Sequence, residues 1–149
     1  YTSAKEGNWT VTGTDGGKAG STSLTVTAGA PATIAAHAGN SQLATVGTAV
    51  AIPPSVLVTD AYGNPVSGVS VTFVVASGSG VVSPTTAITT GNDGIAAVTS
   101  WTLGTAAGSN SLTAISGTLT GSPATFTATG TAAVACSPMN QRVVPAMKG

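Results

Sequence analysis

Residues 58–73 read Val58-Thr59-Asp60-Ala61-Tyr62-Gly63-Asn64-Pro65-Val66-Ser67-Gly68-Val69-Ser70-Val71-Thr72-Phe73. The middle of this stretch is a turn signal, because glycine and asparagine tolerate positive φ and proline fixes its own φ. Beyond the turn, apolar side chains at positions 69, 71 and 73 alternate with serine or threonine. This period of two is typical of a strand with one buried and one solvated face. The stretch therefore predicts a turn followed by a half-buried strand.

The same alternation recurs along the chain, at residues 24–27, 112–114 and 125–129. Threonine, which occurs 26 times, suits the solvated face because its β-branch favours an extended backbone. No window shows a convincing helical stripe, and Gly (20 residues) and Pro (8 residues) recur too often for long helices. Short strands between frequent turn signals predict an all-β sandwich or barrel.

A hairpin pattern occurs twice, at residues 8–27 and again about 102 positions later, which is a typical length for a sandwich domain. We therefore interpret residues 1–30 as the C-terminal hairpin of a preceding domain, with strands at 8–14 and 21–27. Residues 31–130 form a complete domain in this interpretation. Residues 131–149 are a tail that could begin a following domain, for instance through Arg142-Val143-Val144.

The turn and strand of residues 58–73 resemble the signature of the bacterial immunoglobulin-like group 1 domains, the invasin/intimin type. So do Asp93-Gly94-Ile95-Ala96 and the stretch from Trp101 to Asn110. The resemblance covers residues 31–130, and residues 1–30 as a C-terminal half; it does not extend to residues 137–149. It implies an immunoglobulin-like Greek-key sandwich, tandem arrays on bacterial surface or secreted proteins, often as adhesin stalks, and no catalytic residues.

The inward positions of the predicted strands define a core. Trp101 belongs to it, and its buried indole N–H would need a hydrogen-bond partner. Val98 lies three positions earlier, so the two residues can share a face only if a β-bulge interrupts the strand at residues 99–100. Gly63 and Gly94 are expected where a side chain would clash. The predicted core residues are Val58, Val71, Phe73, Trp101, Leu103, Leu112 and Phe126.

Charge and cysteine content exclude several classes of partner. Four Lys and Arg residues balance four Asp and Glu residues, so the chain lacks a basic footprint for nucleic acid or acidic lipid. No apolar run approaches the roughly 20 residues of a membrane helix. Cys136 is the only cysteine, so it forms no intrachain disulfide, and with a single histidine it makes no zinc cluster. No membrane insertion by this segment is expected.

The sequence gives little support for a set of catalytic residues. The only histidine, His37, is expected on the surface of the first strand after residue 30. No Gly-x-Ser-x-Gly elbow is present, and Gly78-Ser79-Gly80 is a Gly/Ser turn. The four carboxylates that could form an acid/base pair all lie in or beside turns. They are Glu6, Asp15, Asp60 and Asp93. We predict that the chain is not an enzyme and has no catalytic residues.

Ligand sites are equally sparse. Asn92, Asp93 and Asp60 could offer oxygen ligands to Ca²⁺, but they are too few for a strong site, and turn capping explains them better. Gly16-Gly17-Lys18 precedes a strand instead of a helix, so it is not a phosphate loop. Asn8-Trp9-Thr10 has the form of a glycosylation sequon, which arises easily by chance in a threonine-rich strand. No metal or cofactor site is predicted.

Two functions remain open. The first is a structural spacer in a tandem adhesin-like array, extracellular or on the bacterial surface. Its partners are neighbouring immunoglobulin-like domains, and an unknown surface ligand stays open as a further partner. The second is a filament subunit that meets other copies of itself head to tail through strands at its chain ends. The hairpin of residues 1–30 motivates it, because Trp9, Val11, Leu24 and Val26 would form an apolar face with nothing in the chain to cover it. The chain has no signal-peptide pattern, and we expect it to come from a longer polypeptide.

Overall fold

In the computed structural model, which describes residues 5–134, all regular helical or strand structure is β-strand. The all-β prediction is therefore confirmed. Twelve strands follow one another in this part of the chain: β1 (Gly7–Asp15), β2 (Lys18–Val26), β3 (Pro31–Ala38), β4 (Gln42–Thr45), β5 (Ser55–Asp60), β6 (Ser70–Ser77), β7 (Val81–Ser83), β8 (Ile88–Thr89), β9 (Ile95–Ala97), β10 (Ser100–Thr102), β11 (Gly108–Ile115) and β12 (Ala124–Thr131).

Two sheets form the body of the molecule. The larger has the strand order β4-β12-β11-β6-β8, and the smaller has the order β3-β5-β9. All neighbouring pairs in these sheets are antiparallel except β4 and β12, which run parallel. Along β12, buried and exposed residues alternate without interruption, as a strand facing a core on one side requires. β7 and β10 form a separate two-stranded ribbon.

The core lies between these sheets and matches the sequence prediction. All seven predicted core residues are at most 2% exposed. The rings of Phe73 on β6 and Phe126 on β12 lie with their centroids 6.3 Å apart and tilted by 38°. Trp101 is fully buried, but among residues 5–134 its Nε1 has no hydrogen-bond partner. The expectation of a partner for the indole N–H was wrong for the described part of the chain.

The chain changes sheets between Val98 and Trp101. β9 pairs with β5 in the three-stranded sheet, whereas β10 pairs with β7 in the separate ribbon. Thr99 forms a bend at this crossing, and its N–H donates to the carbonyl of Ser83 at 2.7 Å. Both Val98 and Trp101 are buried because the strand is broken and redirected. The irregularity that the sequence required is thus a bend between two sheets instead of a β-bulge.

Two motif glycines behave differently. At Gly94, φ is +72°, and a Cβ would lie 2.7 Å from the carbonyl oxygen of Val58 and 2.8 Å from the Cβ of Pro65. The predicted clash at Gly94 is therefore confirmed. At Gly63, φ is +84°, but no atom lies within 4 Å of the position of a Cβ. The clash expected there was wrong, and Gly63 is required only by its backbone conformation.

β1 and β2 form a two-stranded hairpin in which, at the turn, β1 extends one residue and β2 three residues beyond the predicted strands. Trp9 lies directly opposite Leu24, and Val11 and Val26 are two residues further along their strands, so the four share one face. Trp9, Val11 and Leu24 are 38–42% exposed. The expected apolar face is present, and within residues 5–134 it is not covered.

Candidate functional site

Buried polar residues lie where the base of the hairpin meets the sandwich. Asp60, the last residue of β5, and Asn64, in the turn after that strand, are both buried there, at 3% and 2% exposed. They bind the main chain on either side of the hairpin, at Glu6 before β1 and at Gly29 after β2. We call these four residues the junction site.

The Asp60 carboxylate organises the junction site. Its Oδ1 accepts hydrogen bonds from the backbone N–H groups of Tyr62 and Asn64, at 2.8 and 2.9 Å. Its Oδ2 accepts one from the Asn64 side-chain amide and one from the backbone N–H of Gly29, both at 2.8 Å. The amide of Asn64, followed by the N–H of Gly29, holds the pKa of Asp60 well below its usual range. Asp60 is therefore ionised at neutral pH although it is buried.

Asn64 links the carboxylate to the segment before β1. Its side-chain nitrogen donates to Asp60, which leaves its Oδ1 to accept from the backbone N–H of Glu6 at 3.0 Å. The turn itself is closed by main-chain bonds between Asp60 and Asn64 and between Gly63 and Asp60. The site thus consists of a rigid turn whose side-chain oxygens hold two separate stretches of backbone.

A cleft of about 570 Å³ opens beside the junction site. One wall comes from the base of the hairpin and the connection to β3, and the other comes from residues just after the Asn64 turn. Ala28, on the first wall, packs against the hydrophobic core. The lining residues are Glu6, Gly7, Val26, Thr27, Ala28, Pro65, Val66, Ser67 and Asn92.

The carboxylates considered from sequence are not brought together. Asp15 lies at the tip of the hairpin, Asp93 is exposed and accepts a hydrogen bond from the N–H of Ile95, and Glu6 joins the junction site through its backbone. Both oxygens of Asp60 already accept two N–H donors each, which leaves no free oxygen to offer Ca²⁺. Residues 5–134 contain no group of three His, Cys, Asp or Glu side chains that could hold a metal ion.

The other candidate residues have ordinary surroundings. His37 is exposed on β3, and Ser79 lies in the turn between β6 and β7. Asn8 on β1 accepts a hydrogen bond from the hydroxyl of Thr25 on β2, and Gly16 and Gly17 form the hairpin turn. Of the predicted tail, residues 131–134 are described and Thr131 ends β12, whereas residues 135–149, with Cys136 and Arg142, lie outside the described residues. In the part of the chain that the structure describes, no helix is long and apolar enough to cross a membrane.

Sequence reasoning identified Asp60 as a residue that accepts backbone N–H bonds at a turn, and this is confirmed. It did not identify Glu6 or Gly29 as distant partners of the turn. Both contribute only a main-chain N–H, across sequence separations of 58 residues to Asn64 and 31 residues to Asp60. Any residue except proline carries that donor, so the sequence offers no signal for it.

Comparison with known proteins bears on the fold. No model of a protein family matches the sequence, and no curated protein matches it. Among solved structures, the Escherichia coli adhesin FdeC is similar, with a TM-score of 0.57, 19% identity, and coverage of 85% of this chain and 41% of that one. The chain has the immunoglobulin-like fold of the invasin and intimin type. The D00–D0 domain of intimin gives a TM-score of 0.50 at 19% identity, over 83% of this chain and 64% of that one.

A second kind of surface protein carries the same immunoglobulin-like fold. Domains 4–9 of the surface layer protein SbsC match with a TM-score of 0.51 and 22% identity, over 86% of this chain and 18% of that one. The chain spans about two fifths of the FdeC structure and less than a fifth of the SbsC structure. This immunoglobulin-like domain is therefore similar to parts of larger surface proteins.

Proposed function

We propose that the chain is a non-catalytic spacer module of a bacterial surface or secreted adhesin-like protein. The junction site is the observation that carries this proposal. A spacer has to hold the preceding domain at a defined orientation, and the buried oxygens of Asp60 and Asn64 bind the backbone on both sides of the hairpin. Two attachments at the base of one element restrict its rotation more than a single flexible linker would.

The domain organisation that this function needs is part of the proposal. Residues 1–30 are the C-terminal hairpin of a preceding immunoglobulin-like domain, and residues 31–130 are a complete one. In its support, Trp9 opposite Leu24 corresponds to Leu112 opposite Phe126 in the second hairpin. Leu112 and Phe126 are fully buried by their own sandwich. The apolar face of the first hairpin would be buried in the same way by the rest of a preceding domain.

The extent of the structural matches also favours this organisation. FdeC covers 85% of the chain, which is more than residues 31–130 alone could supply. The partners of the module would then be neighbouring immunoglobulin-like domains, in an extracellular or cell-surface protein, with residues 131–149 leading to the next domain. The absence of catalytic and cofactor residues belongs to the same proposal.

Substitution at Gly29 tests the junction site. Gly29→Pro removes the N–H that donates to Asp60 and leaves the bonds from Tyr62 and Asn64 in place. Gly29→Ala keeps the N–H, and its Cβ would lie at an ordinary distance of 3.5 Å from Asp60 Oδ2, so it is the matched control. In ¹⁵N relaxation of the full chain, we expect residues 7–26 to gain fast motion in G29P but not in G29A.

The amide resonances of residues 31–130 should keep their positions in G29P, apart from those around Asp60. A hairpin that stays as ordered in G29P as in G29A would contradict a rigid junction. Global loss of dispersion in G29P would show that the bond supports the fold itself, and Glu6→Pro, which removes the second N–H, would then be measured in its place.

The alternative function is a filament subunit that assembles head to tail through its chain ends. The uncovered face of Trp9, Val11 and Leu24 favours it, because exposed apolar hairpins with free edges are templates for association. Light scattering and electron microscopy of the full chain distinguish the two functions. Fibres that disappear when residues 1–30 are deleted would support the filament, whereas a monomer at high concentration supports the spacer.

A further inference from the structure

The chain contains two Asp-Gly sequences, Asp15-Gly16 at the tip of the hairpin and Asp93-Gly94 in the turn before β9. Both aspartates are exposed. An aspartate followed by glycine is prone to rearrangement, because glycine has no side chain to hinder attack by its amide nitrogen on the neighbouring carboxyl group. The two sequences share this intrinsic chemistry, so a difference in their reactivity has to come from the fold.

Hydrogen bonds hold the reacting groups of only one of these sequences. The Oδ1 of Asp93 accepts from the N–H of Ile95 at 3.0 Å. The N–H of Gly94 donates to the carbonyl of the residue three positions earlier, at 2.9 Å. Among residues 5–134, neither the carboxylate of Asp15 nor the N–H of Gly16 forms a hydrogen bond or an ion pair.

The surroundings of the two glycines differ in the same direction. A Cβ at Gly94 would lie 2.7 Å from the carbonyl oxygen of Val58, whereas no atom lies within 4 Å of a Cβ at Gly16. In the part of the chain that the structure describes, β1 and β2 pair only with each other. A two-stranded hairpin without further cover is marginally stable, so its tip opens at little cost. The turn at Gly94 can move only if its packing against the sandwich is broken.

We propose that Asp15-Gly16 is a modification site at which the aspartate isomerises spontaneously to isoaspartate, whereas Asp93-Gly94 is protected by the fold. The reaction needs no enzyme or cofactor. It depends on the exposed tip of the hairpin, and it does not rest on the junction site or on the spacer proposal.

The rearrangement consists of two steps that balance. The amide nitrogen of Gly16 bonds to Cγ of Asp15 with its carboxyl protonated, and one carboxyl oxygen leaves as water together with the amide proton. This closes a five-membered succinimide ring. A water molecule then opens the ring at the main-chain carbonyl of Asp15, so that the main chain runs through Cγ and the α-carboxyl group is free. The mass of the chain is unchanged.

The product has a longer main chain at the hairpin turn. Asp15 and Lys18 form the last pair before the two-residue turn, and such turns match their strands only at a fixed length and backbone conformation. The additional main-chain carbon should therefore break this pair. Glu6 and Gly29 lie at the other end of the hairpin and should keep their hydrogen bonds to the junction site.

Endoproteinase Asp-N cleaves before aspartate but not before isoaspartate, so one digestion reports on Asp15, Asp60 and Asp93. The full chain is kept for several weeks in warm, mildly acidic buffer and then digested. Isoaspartate at position 15 leaves residues 1–59 joined, and isoaspartate at position 93 leaves residues 60–149 joined. In mass spectrometry, the 1–59 product should accumulate at least about tenfold faster than the 60–149 product, because the hairpin tip opens more easily than the packed turn.

Two controls separate the fold from the chemistry. In urea, where the unfolded chain protects neither turn, the two products should form at similar rates. Asp15→Glu keeps the carboxylate but would need a six-membered ring, which forms far more slowly. The tryptic peptide of residues 6–18 should therefore give a second chromatographic peak of unchanged mass in the wild type but not in D15E.

Equal rates at the two aspartates in the native chain would overturn the proposal. So would an Asp15 that rearranges in urea but not in the native chain, because the hairpin turn would then be protective. A second peak that persists in D15E would assign the modification to another residue. In the isomerised chain, amide shifts confined to residues 13–20 are expected, and shifts that extend to Gly29 would contradict a change limited to the tip.

Discussion

Asp60 shows how one side chain can serve both a turn and a long-range attachment. Its oxygens cap the turn through Tyr62 and Asn64 and hold Gly29, which is 31 residues away. Asparagine at this position would lose the negative charge and turn one of the two acceptor oxygens into a donor. Such a group cannot accept the same four N–H donors.

Because of these hydrogen bonds to Asp60, the free energy of unfolding should depend on pH in the acidic range. Because the folded-state pKa of Asp60 is lowered, the unfolded chain binds a proton first as the pH falls below the usual aspartate pKa of about 3.9. The free energy of unfolding should therefore be at its full value at neutral pH and decline below about pH 4. Urea unfolding between pH 7 and about pH 3 should show this decline in the wild type and a shallower one in D60N.

Asp93→Asn is the matched control, since it removes an exposed carboxylate that accepts a hydrogen bond from Ile95. D93N should retain the acid decline of the wild type, and at neutral pH it should be more stable than D60N. An acid decline in D60N as steep as that of the wild type would mean that other carboxyl groups cause it.

At the scale of elements, the turn after β5 and the turn before β9 are packed against each other. Gly94 approaches the carbonyl of Val58 and the ring of Pro65, whereas Gly63 has open space around its Cα. Gly63→Ala should cost roughly 1 kcal/mol for its backbone strain alone. Gly94→Ala should cost about 1–3 kcal/mol more, because its Cβ also has to displace backbone.

Chemical denaturation of the two variants, each measured against the wild type, checks this difference. Equal losses would indicate that the two turns can separate without cost, although a Cβ added at Gly94 would lie only 2.7 Å from the carbonyl oxygen of Val58.

The strands differ in how far sequence could predict them. The alternation of apolar and polar residues was enough to identify the buried faces of β6, β11 and β12. In a strand with one solvated face, every second side chain points into the core and is apolar. β7 and β8 have only three and two residues, too few for a period to be visible. The sheet change at Thr99 could be detected from sequence only as the odd spacing of three positions between Val98 and Trp101. Either a bend or a β-bulge can bury both residues at that spacing.

The candidate site was less predictable than the core. Its acceptors, Asp60 and Asn64, belong to a recognisable turn, but their donors are main-chain groups of Glu6 and Gly29. The short pairing of β8 with β6 is likewise hard to predict, because β8 stops after two residues for no reason visible in the alternation of β6. Which distant strands pair cannot be predicted from local sequence when the candidate strands share the same alternation of apolar and polar residues.

At the scale of the whole molecule, the described residues form a sandwich that carries few charges and has a hairpin attached at one end. Its few charges lie at turns and at the hairpin, and its surface is mostly threonine, serine and small apolar residues. Such a surface offers few fixed charges for electrostatic steering in the described part of the chain.

The parallel pairing of β4 with β12 has a mechanical consequence. Residues 42–45 lie near the start of the domain and residues 128–131 near its end, and they are paired in register, Gln42 with Ala128 through to Thr45 with Thr131. In a parallel pair, tension applied to the two chain ends slides the strands along each other and loads all four residue pairs together, whereas an antiparallel terminal pair could be peeled apart one bond at a time. Tension that has passed β3, which precedes β4 in the chain, would therefore meet a ladder that resists by shear instead of by peeling.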